Sequence, residues 1–206
     1  MKCVLTDLYD LQSIKDVLRD CLESELTKST GWIVGSGLNI GLFPSGNPNK
    51  SILDDISKDI PIILWANDGH SGLANSKALE LANITSDTKE PLYGVIERDL
   101  MTGEPSGTLR ESSAINAVLD LAPKDTDVDY DKGLSIAQDM AHSFGITSVL
   151  EAAVGERHMA AYKRAAEREE LELRVFTCLE YGKTSFAHDA STFEDVYQRL
   201  EQFNHP

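Results

Sequence analysis

A change of apolar period, made twice in the second half, is the feature that most constrains how this chain can fold. Leu134, Ala137, Met140, Ala141 and Phe144 recur at helical spacing up to Gly145, a residue suited to the left-handed helix cap. Ile146 to Leu150 then read as a strand. Residues 156–169, a helix carrying Met159, Ala160 and Ala166, lead in the same way into a strand over Leu171 to Leu179. A further helix is expected from a capping box at Ser191 and Glu194, with Phe193, Val196, Leu200 and Phe203 on or near one face. Strands that alternate with helices run parallel and are joined by crossovers, so the pattern predicts an α/β fold, either a barrel or a doubly wound sheet.

The first half reads as irregular. Leu11, Ile14, Leu18, Cys21 and Leu22 mark an amphipathic helix over residues 11–27, and Trp32-Ile33-Val34 a strand. Glycines and prolines between residues 38 and 50 predict a loop, of the kind that serves as a lid or an active-site wall. Pro61 to Ala66 is a short apolar run closed by Asn67-Asp68-Gly69, which favours a buried strand. Ala74, Ala78, Leu81 and Ala82 share a helical face, with Ser71 available as its N-cap. A short strand over Val95 to Arg98, a turn over Gly103 to Gly107 and a helix carrying Leu109, Ala114 and Val118 complete this half.

With 206 residues the chain can bury a sizeable core, and its net charge of −15 disfavours phosphate backbones and anionic membrane surfaces. No nucleic-acid or membrane partner is therefore expected. The N-terminus does not resemble a signal peptide, and no apolar run approaches membrane-spanning length. Cys3, Cys21 and Cys178 form no Cys-x-x-Cys pair, and their odd number argues against a disulfide framework, so a reduced, cytoplasmic protein is expected.

Several chemical motifs fail on inspection. Gly35-Ser36-Gly37 lacks the third glycine of a dinucleotide turn, because residue 40 is Ile. Gly182-Lys183-Thr184 lacks the earlier glycine of a phosphate loop. The alternating Asp125, Asp127, Asp129 and Asp131 place Lys132 and Gln138 where a calcium loop needs Gly and Glu, and read better as acids approaching a helix N-terminus. There is no Gly-x-Ser-x-Gly elbow. What remains is the set of positions that parallel folds project from strand ends, namely His70, Glu151 and Glu180. His70 is read as a substrate-binding residue or as a brace for its turn. Glu151 is read as a substrate-binding carboxylate or as a helix-capping acid.

Taken together, Trp32-x-x-Gly35-x-Gly37, Leu53-Asp54, Asp59-x-Pro61, Asp68-Gly69-His70-Ser71 with Asn75-Ser76-Lys77-Ala78-Leu79, Gly103-Glu104-Pro105-Ser106-Gly107 with Glu111, Gly145-Ile146-Thr147-Ser148-Val149 and Leu173-Arg174-Val175 resemble amidohydrolase family 3, the branch containing N-substituted formamide deformylase-like proteins. The resemblance implies a partial (β/α)8 TIM barrel. Residues 1–130 would be a long α+β insertion after barrel strand one, and residues 131–206 would hold the barrel units around strands two and three. It also implies a parent enzyme in which a divalent metal, by expectation zinc, activates water against an amide or related non-peptide C–N bond. The family's metal ligands include a His-x-His pair, which the five histidines here do not contain. This chain is accordingly expected to carry no catalytic residue and no metal of its own, and to contribute pocket wall to a small amide-like substrate through His70 and Glu151. Open strand edges would favour self-association. The alternative is a non-catalytic α/β binding or interaction module derived from such a barrel. Gly72, Leu73 and Tyr93 depart from common residues of the family, so substrate preference does not transfer.

Overall fold

The computed structural model describes residues 3–179 and, beyond them, Gln198. The chain divides into two compact units, residues 1–124 and residues 125–206. The helix expected from Ser191, the turn at Gly182 and the candidate Glu180 lie outside the described residues.

The first unit is far more regular than its sequence suggests. Strands β1 (Cys3–Val4), β2 (Ile33–Leu38), β3 (Ile62–Ala66), β4 (Ser71–Ala74), β5 (Val95–Arg98) and β6 (Pro105–Arg110) form one six-stranded sheet in the order β1-β2-β3-β4-β6-β5. The pairs β1–β2 and β2–β3 are parallel, and the remaining three pairs are antiparallel. Helices α1 (Leu11–Glu23) and α2 (Glu25–Thr30) connect β1 to β2, and the short α3 (Ser51–Asp54) precedes β3. Helices α4 (Ser76–Leu81) and α5 (Glu111–Leu119) follow β4 and β6.

Strand β3 explains why the apolar run at 62–66 is continuous: both faces of the sheet are covered. Ile62 and Leu64, with Leu73, pack against Ile14 and Leu18 of α1. Ile63, with Ala74 and Leu109, packs against Ala78, Leu79, Ala114, Ile115 and Val118 of α4 and α5. The Gly-x-Gly pair of β2 is explained by the same packing. A Cβ on Gly35 would lie 2.8 Å from the Cys3 carbonyl oxygen, and Gly37 has φ +87° against Thr6. These glycines serve strand packing.

Four expectations need correction. Helix α4 is capped by Asn75, whose side chain accepts from the Ala78 N–H, while Ser71 belongs to β4 and caps nothing. Pro105 to Gly107 lie within β6 and so does Leu109, because residues 105–110 pair with β4 and β5. The loop at 38–50 contains two 3-10 turns, Ile40–Leu42 and Pro44–Gly46, and is pinned to β6: Lys50 N–H donates to the Ser106 carbonyl at 2.6 Å and Thr108 Oγ1 to the Pro48 carbonyl at 2.6 Å. Finally, Cys3 and Cys21 form a disulfide that ties β1 to α1, with Cα atoms 6.0 Å apart, and Cys178 is free and exposed. An odd cysteine count cannot exclude one pair brought together by a strand and the helix after it.

The second unit follows the periodicity closely. Helix α6 (Asp127–Ser143), strand β7 (Ser148–Val154), helix α7 (Glu156–Glu167) and strand β8 (Arg174–Leu179) alternate, and β7 pairs with β8 in parallel. The acidic run is a helix start: Thr126 and Asp129 form a capping box at the head of α6. The α6 C-terminus is closed as Gly145 N–H donates to the His142 carbonyl and Ile146 N–H to that of Ala141, both at 2.9 Å. Arg164 of α7 holds Asp131 of α6 through Nε at 2.9 Å and Nη2 at 2.6 Å. Strand β7 begins two residues later than expected and runs four further. No described helix is long and apolar enough to cross a membrane.

Candidate functional site

His70 sits at the tip of the hairpin between β3 and β4, so a strand end does deliver it, although an antiparallel strand follows where a helix was expected. Asp68 builds the tip. Its Oδ1 accepts the backbone N–H groups of His70 at 3.0 Å and Ser71 at 2.9 Å, and its Oδ2 accepts the Ser71 hydroxyl at 2.7 Å. Gly69 completes the turn at φ +72°. Burial pulls the Asp68 pKa upward, but the bonds from Ser71 and His70 and the charge of Arg110 outweigh it and hold the carboxyl below the ordinary aspartate value.

Arg110, the last residue of β6, locks this turn to the rest of the sheet. Its guanidinium donates to Ser71 Oγ at 2.6 Å, the Gly46 carbonyl at 2.8 Å, Glu97 Oε1 at 3.2 Å and Asn47 Oδ1. The hairpin tip, the 3-10 loop and β5 are thereby fixed around one planar group.

The next residue, Glu111, joins β6 directly to α5 and has φ +63°. A left-handed backbone at a residue with a side chain costs about 1 kcal/mol or more and persists where the surroundings impose it. Here its N–H donates to the His70 carbonyl at 2.7 Å, and its carboxylate Oε2 lies 3.2 Å from His70 Nδ1. The two side chains are 72% and 54% exposed, so the pair lies largely open at the hairpin tip. A carboxylate beside Nδ1 favours the proton on that nitrogen over Nε2.

Glu151 lies in the second unit, inside β7, since that strand continues to Val154. Its Oε2 is 3.5 Å from the Tyr162 hydroxyl of α7. Burial, then the Glu151 charge, raise the Tyr162 pKa above its ordinary value. A cavity beside α6 and α7 is lined by Asp131, Gln138, Arg168 and Glu172. Its Arg168 is already held by Asp131 and Glu170, and Gln138 binds the backbone of residues 170, 172 and 173.

Residues 3–206 match the family model described as the amidohydrolase family. The chain belongs to that family. Among its relatives, N-substituted formamide deformylase of Arthrobacter pascens is 35% identical over 123 residues, 58% of this chain and 22% of the relative. Protein LONG AFTER FAR-RED 3 of Arabidopsis thaliana is 34% identical over 139 residues, 66% of this chain and 22% of the relative. An uncharacterised metal-dependent hydrolase from Pyrococcus horikoshii has a similar structure, with a TM-score of 0.59 at 21% identity, over 98% of this chain and 35% of the hydrolase. This amidohydrolase-family chain therefore spans about a fifth of those two relatives' length and shares a mixed-sheet α/β fold with the hydrolase.

Among the described residues of this amidohydrolase-family chain, no three His, Cys, Asp or Glu side chains gather as a metal-ligand set. His70 and Glu111 give two donors where a hydrolytic zinc site takes three, so the described residues do not fit a catalytic metal. The sequence marks His70 as a site residue and Glu111 only as part of the family resemblance, and nothing in it singles out Arg110. The Gly107-x-x-x-Glu111 spacing was visible as a family feature; the left-handed backbone that turns Glu111 onto a histidine 41 residues away was not.

Proposed function

We propose that this chain supplies substrate-binding wall to a hydrolase acting on an amide or related non-peptide C–N bond, with His70 as the residue that meets the substrate. Family membership over residues 3–206 supports the reaction class, and the likeness to N-substituted formamide deformylase favours an N-substituted formamide or similar small amide. The single observation that carries the role of His70 is its presentation: a largely exposed imidazole at a hydrogen-bonded hairpin tip, with Glu111 on Nδ1. A neutral imidazole held this way accepts a hydrogen bond from a substrate N–H at Nε2, which aligns the C–N bond for attack by water.

Glu151, within the second unit, is read by itself as a substrate-binding carboxylate that accepts a hydrogen bond from the Tyr162 hydroxyl. The divalent metal of the family, by expectation zinc, would be held by residues other than those described. The same surface without hydrolysis would make the chain a binding module for small amides, and the assay separates the two. In an active protein carrying this segment, His70→Ala is expected to lower amide hydrolysis about tenfold to a hundredfold while leaving metal content intact. An unchanged rate with a lowered melting temperature would reduce His70 to a brace for its turn. Amide binding without hydrolysis in that protein would favour the module.

A further inference from the structure

We infer that Glu111 is a positioning residue whose left-handed backbone is held in place so that its carboxylate keeps His70 in a single tautomer, Nδ1–H, with the Nε2 lone pair presented outward. The inference rests on the reading of His70 as the substrate-facing group and names what makes that group competent.

Three independent constraints converge on this one residue. From below, Arg110 is tied to Ser71, Glu97, Gly46 and Asn47, which fixes the chain immediately before Glu111. From the side, the His70 carbonyl takes the Glu111 N–H at 2.7 Å, so the backbone of the hairpin tip and that of the helix start are joined directly. From above, the carboxylate meets His70 Nδ1 at 3.2 Å. The φ of +63° at Glu111 is a conformation in which glycine would be relaxed and glutamate is strained. A purely structural junction would be better served by glycine. What glutamate adds is the carboxylate, and among the described residues that carboxylate meets the imidazole of His70.

The chemical consequence is directional. A free neutral imidazole exchanges its proton between the two nitrogens and turns about its side-chain bonds, so it does not offer an N–H donor one fixed acceptor atom. A charge-assisted bond at Nδ1 removes that freedom, as carboxylate partners do for histidines that must offer one particular nitrogen. The ligand class is accordingly a hydrogen-bond donor, such as the N–H of a secondary amide, and a tertiary amide lacking that hydrogen is discriminated against.

The test is nitrogen-15 NMR of the full chain with labelled histidine at about pH 8, above the ordinary imidazole pKa of about 6.5, with His70→Gln used to assign the signal. The wild-type ring is expected to be Nδ1-protonated. In Glu111→Gly the ratio of Nδ1–H to Nε2–H forms should fall about tenfold or more, while the melting temperature stays level or rises because the strained backbone is relieved. Binding of N-methylformamide should weaken, and N,N-dimethylformamide should bind less than N-methylformamide to the wild type only. An unaltered tautomer ratio in Glu111→Gly would overturn the inference, as would a wild-type ring already protonated at Nε2. The tautomer readout needs no substrate. A locked tautomer without formamide binding would leave the inference standing and count against the proposed function instead.

Discussion

Asn75 offers the sharpest test of how the candidate site is held. It is completely buried and uses every hydrogen-bonding position of its amide. Oδ1 accepts the N–H groups of Ile62 at 3.0 Å and Ala78 at 2.9 Å, while Nδ2 donates to the carbonyls of Ser57 at 3.0 Å and Ile60 at 2.9 Å. One side chain thus caps α4 and fixes the start of β3, the strand that ends at the His70 hairpin. In Asn75→Ala the lost cap costs about 1 kcal/mol, and the orphaned N–H of Ile62 and the two carbonyls about 2 kcal/mol more. The expected total is about 3 kcal/mol. With a urea slope of about 2 kcal/mol per molar, the midpoint should drop by about 1.5 M, followed by the fluorescence of Trp32 and Trp65, both in the first unit. Asn75→Asp keeps the acceptor but sets a carboxylate against two carbonyls, so its deficit should shrink as pH falls and the acid regains a donor. A loss under about 0.5 kcal/mol in Asn75→Ala would refute the reasoning, because a buried amide with four partners cannot be so cheap to remove.

Three further outcomes are expected. Asp68 and Asp131 both have lowered pKa values, the second through its bonds to Arg164 and Arg168 despite partial desolvation, so each stabilises the fold above the ordinary aspartate pKa of about 3.9 and loses that contribution as pH falls through the lowered folded value. Acid titration followed by circular dichroism should show stability falling below about pH 4, with Asp68→Asn flattening part of the slope; an identical slope in the variant would count against it. Non-reducing mass spectrometry should find the Cys3–Cys21 peptide pair, and replacing both cysteines by serine should cost about 3 kcal/mol for a loop of this size; free thiols at both positions would contradict the link. Leu150 and Phe176 stand opposite one another on β7 and β8, 66% and 58% exposed, and β8 has no second partner strand among the described residues. Light scattering should therefore show self-association that Leu150→Ser with Phe176→Ser reduces, and a clean wild-type monomer at high concentration would oppose this.

The second unit was legible because its elements are long and periodic: Gly145 ends α6, and the parallel β7–β8 pair follows from the helix between those strands. Strand β3 was legible for the same reason in reverse, as an unbroken apolar run that only a doubly covered strand tolerates. Strands β4 and β6 were hidden. Ser71 to Ala74 is four residues long with no β-branched or aromatic side chain, and its burial on every residue leaves no alternation to read. The disulfide was hidden because its two cysteines meet only once β1 has joined the sheet and α1 has packed on it. In the site, Asn67-Asp68-Gly69 announced the turn that presents His70. Its partner could not be found by spacing, since Glu111 arrives through the pairing of β4 with β6 and a backbone angle that no residue type signals.

A secondary amide is expected to bind at His70. Backbone amide NMR of the full chain titrated with N-methylformamide is expected to shift the signals of His70, Glu111 and Ser71. His70→Ala should weaken that binding about tenfold without lowering the melting temperature. Shifts confined to other residues, or equal affinity in wild type and His70→Ala, would contradict it.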